Sequence, residues 1–335
     1  MTDKSYLLPE WEKTRSILMA WPYPGSDWQA NLVAAQRCYI DMLHAFSQVV
    51  DVWLLLHPSI DLATFRQRLE DTGLNLARIH IENSVMYNDT WTRDYGPLSC
   101  NSGYIQFQFN GWGGKYSAAD DNRVPSNIRN WLGASPIDAG FVCEGGGLET
   151  NGSVLLVNKD CIVDPLRNPT MTEDEVSRQL QRWLGVEAIE WLSNIHLTGD
   201  DTDGHIDTIA RFVAVDVVVY AGRNAAHVDA SSLLALHQQL EAIAAKRGWS
   251  LFELPSPQIC SAIDGRVLPA TYANFLLCNQ HVFLPVYGVA EDALAIAVIE
   301  RACPSYKVVP VRCQALLEQH GSLHCATMQV MDITP

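Results

Sequence analysis

Basic residues are scarce in this chain: its 335 residues carry 23 Lys and Arg against 38 Asp and Glu, a formal net charge of −15. A nucleic-acid binder needs a basic patch to release counterions from phosphate, so nucleic acid is not an expected partner. Long apolar runs are also missing. None reaches the ~18 residues of a membrane span, so no membrane partner is expected. The opening MTDKSYLLPEWEK has no basic stretch followed by an apolar one, so export through a signal peptide is not expected either. Nine cysteines occur without a single CxxC pair, which argues against a thiolate zinc site and for reduced thiols in a cytoplasm. Disorder is excluded by an apolar content of 48%. The acidic balance keeps the chain soluble and also suits a cationic small molecule, whose local concentration it would raise.

What is present reads as alternating helix and strand. Helical spacing runs over 32–47 and leads into VVDVWLLLH. Thr172-Glu173-Asp174-Glu175 is a capping box, opening a helix that ends before Gly185. Residues 231–246 and 291–302 are helical and precede SLFELP and SYKVVPVR. Between these units lie GYIQFQFN, SVLLVNKDCIVD, ARFVAVDVVVYAG and ANFLLCNQHVFLPVYG; turn residues split several of them, which predicts hairpins. A polar cluster stands ahead of each strand region: Asp94, Glu144, His205 with Asp207, a weakly polar LPATY near 270, and Cys325. The steps between them are about 50, 61, 65 and 55 residues. A recurring strand, hairpin and helix is the mark of a radial or stacked repeat, and five units round an axis would gather those groups at one end. Ordinary α/β alternation with accidental phasing is the alternative.

The stretch TDGHIDT, 202–208, sets Asp201, Asp203 and Asp207 around His205. A metal site, an acid–base catalyst and a solvated turn would all use such residues. A calcium loop fails for want of a distal bidentate Glu and another Asx before the Gly. For a metal hydrolase, the other ligand candidates His57, His80 and His196 show no HxxxH-type grouping, and no metal is expected. The glycine run 145–147 lacks a GKS/T ending and follows a glutamate, so it is no phosphate loop.

Cysteine, histidine and carboxylates together make a nucleophilic site. Three or more carboxylates would repel a developing oxyanion but would hold a cation. A guanidinium is planar and permanently charged, and it takes paired carboxylates in bidentate geometry. Its carbon is a poor electrophile, so hydrolysis needs fixed carboxylates, a thiolate over its face and a histidine to protonate departing ammonia. Trp91 and Trp112 could pack on the alkyl stem of such a ligand. His324 beside Cys325 would point away from it if both lay in a strand, whereas His205 and Asp207 would share a face.

The motifs MAWP (19–22), NDTWTRDYGP (88–97), FNGWGGKY (109–116), EGGGLETNG (144–152), TGDDTDGHIDT (198–208) and GSLHCATMQ (321–329) span nearly the whole chain. In order and spacing they resemble the agmatine deiminase family, the bacterial peptidylarginine-deiminase-like branch of the guanidino-group-modifying enzymes. The resemblance implies a single α/β domain over 1–335, a five-bladed propeller (pentein) of ββαβ-type repeats. It implies a hydrolase that converts agmatine to N-carbamoylputrescine and ammonia, in putrescine biosynthesis, through a covalent thiouronium and without cofactor or metal. Cys325 matches its nucleophile and His205 its general acid/base. Asp94 and Asp207 match carboxylates that hold the guanidinium, and Glu144 matches a glutamate near the same group. Trp91 matches an aromatic lining the stem channel, Asp89 shares the motif of Asp94, and Asp201 falls where many members are acidic. Free arginine or peptidyl-arginine as substrate, and a non-catalytic guanidine-binding protein, are the competing readings. A homodimer is the base-rate expectation for an acidic enzyme of this size.

Overall fold

The structure, a computed structural model, describes residues 5–333. Its helices stand where apolar periodicity asks for them. Leu32–Ser47 buries Ala35, Cys38, Tyr39, Met42, Leu43 and Phe46, one stripe at three- and four-residue steps. Glu173–Leu184 opens on the expected capping box: Thr172 accepts from the Glu175 amide while the Glu175 side chain accepts from the Thr172 amide. It stops at Gly185, which is left-handed. Ala230–Arg247 and Glu291–Ala302 complete the set of long helices foreseen from spacing.

Five sheets obey one pairing rule: a first strand pairs antiparallel with a second, and the second pairs parallel with a third. The sheets are Leu98–Cys100, Gly103–Gln108 and Ile137–Val142; Glu149–Thr150, Val154–Asn158 and Ala188–Leu192; Ala210–Ala214, Val217–Ala221 and Ser250–Leu254; and Leu276–Cys278, His281–Val286 and Lys307–Arg312. The fifth joins strands from opposite ends of the chain, with Met328–Met331 antiparallel to Thr14–Ala20, then Asp51–Leu55 and Ile79–Glu82 in parallel. A parallel neighbour requires a crossover: the four long helices supply four of the six, the helix Leu62–Asp71 the fifth, and short helical turns between Gly103–Gln108 and Ile137–Val142 the sixth. A two-stranded ribbon, Ile259–Cys260 with Val267–Leu268, lies apart. The fold is mixed α/β. Among the described residues no helix is long and apolar enough to cross a membrane.

The hairpins expected in ARFVAVDVVVYAG and ANFLLCNQHVFLPVYG form. The one suggested by VNKD does not. Asn158 is fully buried, and its amide donates to the carbonyls of Ile195 and Gly204 at 3.0 and 2.9 Å. That ties the strand end inside the protein, and the chain turns into the short helix Lys159–Ile162.

Candidate active site

Each polar cluster falls just ahead of the first strand of a repeat. Asp94 sits in the turn Thr92–Tyr95, Glu144 leads the turn Gly145–Gly147, and His205 leads Ile206–Thr208. Asn274 and Cys325 precede Leu276–Cys278 and Met328–Met331. Equivalent places in repeated units thereby bring residues 50 and more positions apart into contact.

Asp94 is held from three sides. Its amide donates to the Trp91 carbonyl at 3.0 Å, the Gly146 amide donates to Oδ1 at 3.0 Å, and the Trp112 indole donates to Oδ2 at 2.9 Å. Trp112 takes a left-handed conformation, φ 54°, between glycines to deliver that bond. Gly146 must be glycine for space: a Cβ there would lie 2.7 Å from both Asp94 Oδ1 and His205 Nδ1, and 3.2 Å from Asp207 Oδ2. His205 is wholly buried, with Nδ1 3.5 Å from Asp94 Oδ1 and Nε2 3.8 Å from Glu144 Oε2. Neither ring nitrogen has a hydrogen-bond partner among the described residues.

Cys325 Sγ lies 3.2 Å from Asn274 Nδ2 and 3.6 Å from Asp207 Oδ2. Asn274 Oδ1 accepts from the amides of His324 and Cys325 at 2.9 and 3.3 Å, so one side chain grips both the thiol and its backbone. Asp207 Oδ2 receives His324 Nδ1 at 2.7 Å, whereas Oδ1 has no partner among the described residues. Residues 323–326 form turns, with Ala326 N reaching Ser322 O and Thr327 N reaching His324 O. Strand alternation therefore does not govern His324 and Cys325, and both converge on the Asp207 carboxylate. His205 and Asp207 likewise meet the site from a helical turn rather than a strand.

A cavity of about 420 Å³ opens over these groups, and Asp94 and Cys325 are among its walls. Trp91 lines it, braced by Trp28 with ring centroids 5.5 Å apart. Gly321 faces Trp91 so closely that a Cβ would touch the indole at 2.6 Å. Trp112, Tyr116, Asp27, Asp89 and Asp201 line it as well. Asp94 is almost fully enclosed, whereas Asp201 is about one-third exposed and accepts a hydrogen bond from the Tyr116 hydroxyl. Among the described residues that line the cavity there is no arginine or lysine.

Burial and crowding shift the charges. Burial alone would lower the His205 pKa, but Asp94, Glu144 and Asp207 outweigh it and raise it to about 9. Burial lifts Asp94 to about 6 and Asp89 to about 7. Burial also raises Asp207, but His324, His205 and Arg211 reverse this and hold it below the usual carboxylate range. Burial, Asp207 and Asp94 push the Cys325 thiol well above its ordinary value. The site thus pairs an imidazolium with a neutral thiol at neutral pH.

Of the sequence candidates, Cys325, Asp94, Trp91, Trp112, Asp89 and Asp201 line the cavity, while His205 and Asp207 are packed at its base against Asp94 and Cys325. Glu144 stands behind His205 and away from the cavity wall. Both its oxygens accept from Arg167 Nε at 2.9 Å. Arg167 was not singled out in the sequence, and nothing local marks it. Asn274 was passed over although the fourth repeat had been phased to about residue 270. His324 was set aside on a strand assumption.

Comparison with known proteins places the whole chain among relatives. A relative from Vibrio parahaemolyticus, named provisionally as an agmatine deiminase, is 31% identical, covering 98% of this chain and 97% of its own. A solved C. jejuni agmatine deiminase, a Cys-to-Ser variant with substrate bound, is 27% identical with a TM-score of 0.90, covering 98% of this chain and 96% of that one. A dimethylarginine dimethylaminohydrolase, at 12% identity and a TM-score of 0.57, covers 95% of this chain and 100% of its own and shares the fold. The family model described as Porphyromonas-type peptidyl-arginine deiminase matches residues 6–330, and the chain belongs to that family.

Proposed function

We propose that this protein hydrolyses the guanidinium of agmatine to N-carbamoylputrescine and ammonia. The observation that carries the reading is the cavity itself. The Cys325 thiol and the Asp94 carboxylate line it, Asp207 and His205 pack directly against them, and Asp27, Asp89 and Asp201 stand among aromatic and neutral side chains on the rest of the wall, with no arginine or lysine among the described lining residues. A guanidinium would lie between Asp94 and Asp207, each offering an acceptor. The alkyl stem would run past Trp91 and Trp112. The distal ammonium would meet Asp201, Asp89 or Asp27. The α-carboxylate of free arginine would meet the same acidic groups, and the Lys115 ammonium beside Asp201 is already engaged by Asp201 at 3.6 Å and Asp203 at 2.8 Å, which favours agmatine over arginine.

Cys325 is the nucleophile. The bound cation stabilises the thiolate, the thiol proton passes to solvent water as substrate enters, and sulfur adds to the guanidinium carbon. His205, as imidazolium, protonates the departing nitrogen, the C–N bond breaks and ammonia leaves an S-alkylthiouronium. Neutral His205 then takes a proton from water and returns to imidazolium; the hydroxide adds to the carbon, and as the C–S bond breaks the hydroxyl proton passes to the departing sulfur, restoring the Cys325 thiol and releasing the ureido product. Glu144, itself neutralised by Arg167, tunes His205. No step calls on a metal or cofactor. We further read the five repeated sheets as blades of one propeller-like domain over 1–335, working in the cytoplasm, where nine free thiols stay reduced.

The test is ammonia release from agmatine, free arginine and a blocked arginyl peptide, in EDTA, with wild type and Cys325→Ala in parallel. Release from agmatine alone, lost in the variant, is expected. Release from arginine or the peptide would overturn the substrate assignment. Tight binding of agmatine without turnover would mark a binding protein.

A further inference from the structure

His324 is enclosed, its side chain 2% exposed, and both ring nitrogens face carboxylates. Nδ1 lies 2.7 Å from Asp207 Oδ2 and Nε2 lies 2.5 Å from Glu10 Oε1. Glu10 comes from an entry segment remote in sequence. That segment is pinned by Leu7 N to Leu184 O at 2.9 Å and Leu8 N to Ser99 O at 3.0 Å, so it bridges two repeats. Glu10 also meets Arg93 Nη1 at 3.2 Å and Arg211 Nη2 at 2.5 Å. Arg211 continues to Glu149 at 2.5 Å.

An ionised carboxylate only accepts hydrogen bonds, so two of them at bonding distance require a proton on each ring nitrogen. Burial, Arg211 and Arg93 lower the His324 pKa below its ordinary value despite Glu10 and Asp207; the second ring proton is asked for by the two short contacts, made to carboxylates that are themselves held below their ordinary range. Arg93 faces the ring from the turn after Trp91, Arg211 from the strand Ala210–Ala214, Asp207 from its own turn and Glu10 from the entry segment.

We infer that Glu10 and His324 are positioning residues for this reaction: the His324 imidazolium spans from Glu10 to Asp207, engages Oδ2, and leaves Oδ1 as the oxygen that takes the guanidinium. The inference rests on the proposed role of Asp207 in holding that group. It explains why Asp207 has one engaged and one unpartnered oxygen in a buried site. It also links the segment around Glu10, far from the cavity walls in sequence, to substrate affinity.

The experiment uses the full chain with Glu10→Gln, His324→Leu and His324→Asn, and reads KM and kcat for agmatine across pH together with the ¹⁵N shifts of the His324 ring. In wild type at neutral pH both ring nitrogens should be protonated. Glu10→Gln keeps an acceptor but removes the charge, so the ring should lose its second proton at lower pH and KM should climb with pH where wild type is flat. His324→Leu should raise KM at least about tenfold, the worth of a charge-assisted hydrogen bond, with a smaller change in kcat. His324→Asn retains a donor to Asp207 and should recover most of the loss without the pH dependence. A neutral His324 ring in wild type would overturn the inference, and that reading is independent of activity. Wild-type KM and pH profile in both Glu10→Gln and His324→Leu would overturn it too. A wild type that releases no ammonia from agmatine would instead refute the proposed function.

Discussion

Gly146→Ala is a perturbation of one methyl group aimed at the centre of the charged cluster. The added Cβ would lie 2.7 Å from Asp94 Oδ1 and from His205 Nδ1, where ordinary contact begins near 3.4 Å. Either the carboxylate or the imidazole must retreat by about 0.7 Å, and the displaced Asp94 also loses alignment with the Gly146 amide that now binds it at 3.0 Å. A misplacement of this order at reacting groups costs ~100-fold in rate, or about 2.7 kcal/mol of transition-state stabilisation. The assay is steady-state ammonia release from agmatine, with thermal unfolding in parallel to verify that the variant folds. Gly147→Ala is the control, because its Cβ would meet first a terminal methyl of Ile162 at 3.0 Å and would stand 3.8 Å from His205. A folded Gly146→Ala enzyme with kcat/KM within twofold of wild type would refute the reading that Asp94 and His205 act on the reacting group from the positions they hold against Gly146.

Four further outcomes are expected. The pH profile of kcat/KM should be bell-shaped, rising as Asp94 ionises near pH 6 and falling as His205 loses its proton near pH 9; an alkaline limb at pH 7 would contradict the imidazolium assignment. Stability follows the same group: the folded pKa of His205 lies above its unfolded value, so its contribution is complete below about pH 6.5 and is lost as pH rises through about 9, which urea unfolding at pH 7 and pH 10 would measure. Arg167→Met leaves Glu144 buried without its guanidinium and should cost about 3–5 kcal/mol of folding free energy, and a loss under about 1 kcal/mol would show that Glu144 does not depend on it. Asp201→Asn should raise KM for agmatine about three- to tenfold with kcat nearly unchanged, as expected for a partly exposed carboxylate facing a distal ammonium, and an effect on kcat alone would move Asp201 into the chemistry.

The helices and the repeat were legible because periodicity is a local property. Apolar steps along 32–47 and the capping box at Thr172 determine a buried face and a start regardless of what packs on them. The phasing of polar clusters at 50- to 65-residue intervals also survived, since each falls just ahead of a first strand. The hairpin that VNKD predicts does not form because the turn-forming chemistry of Asn158 is indistinguishable in sequence from its use as a buried donor to two carbonyls. His324 was misjudged because the alternation rule presupposes a strand, and the chain there makes a turn.

The chain's own pattern therefore determined the element types, the five-fold recurrence, the thiol, the imidazole and the carboxylates that meet, because residue type and spacing are written along it. Only tertiary structure decided which oxygen of Asp207 is engaged, that Glu144 is spent on Arg167, that Asn274 grips the thiol, and that Glu10 reaches His324. Those pairings join residues 23 to 314 positions apart. Their partners are chosen by the packing of separate repeats and by the cost of leaving a buried charge alone, and neither is visible to a local window of sequence.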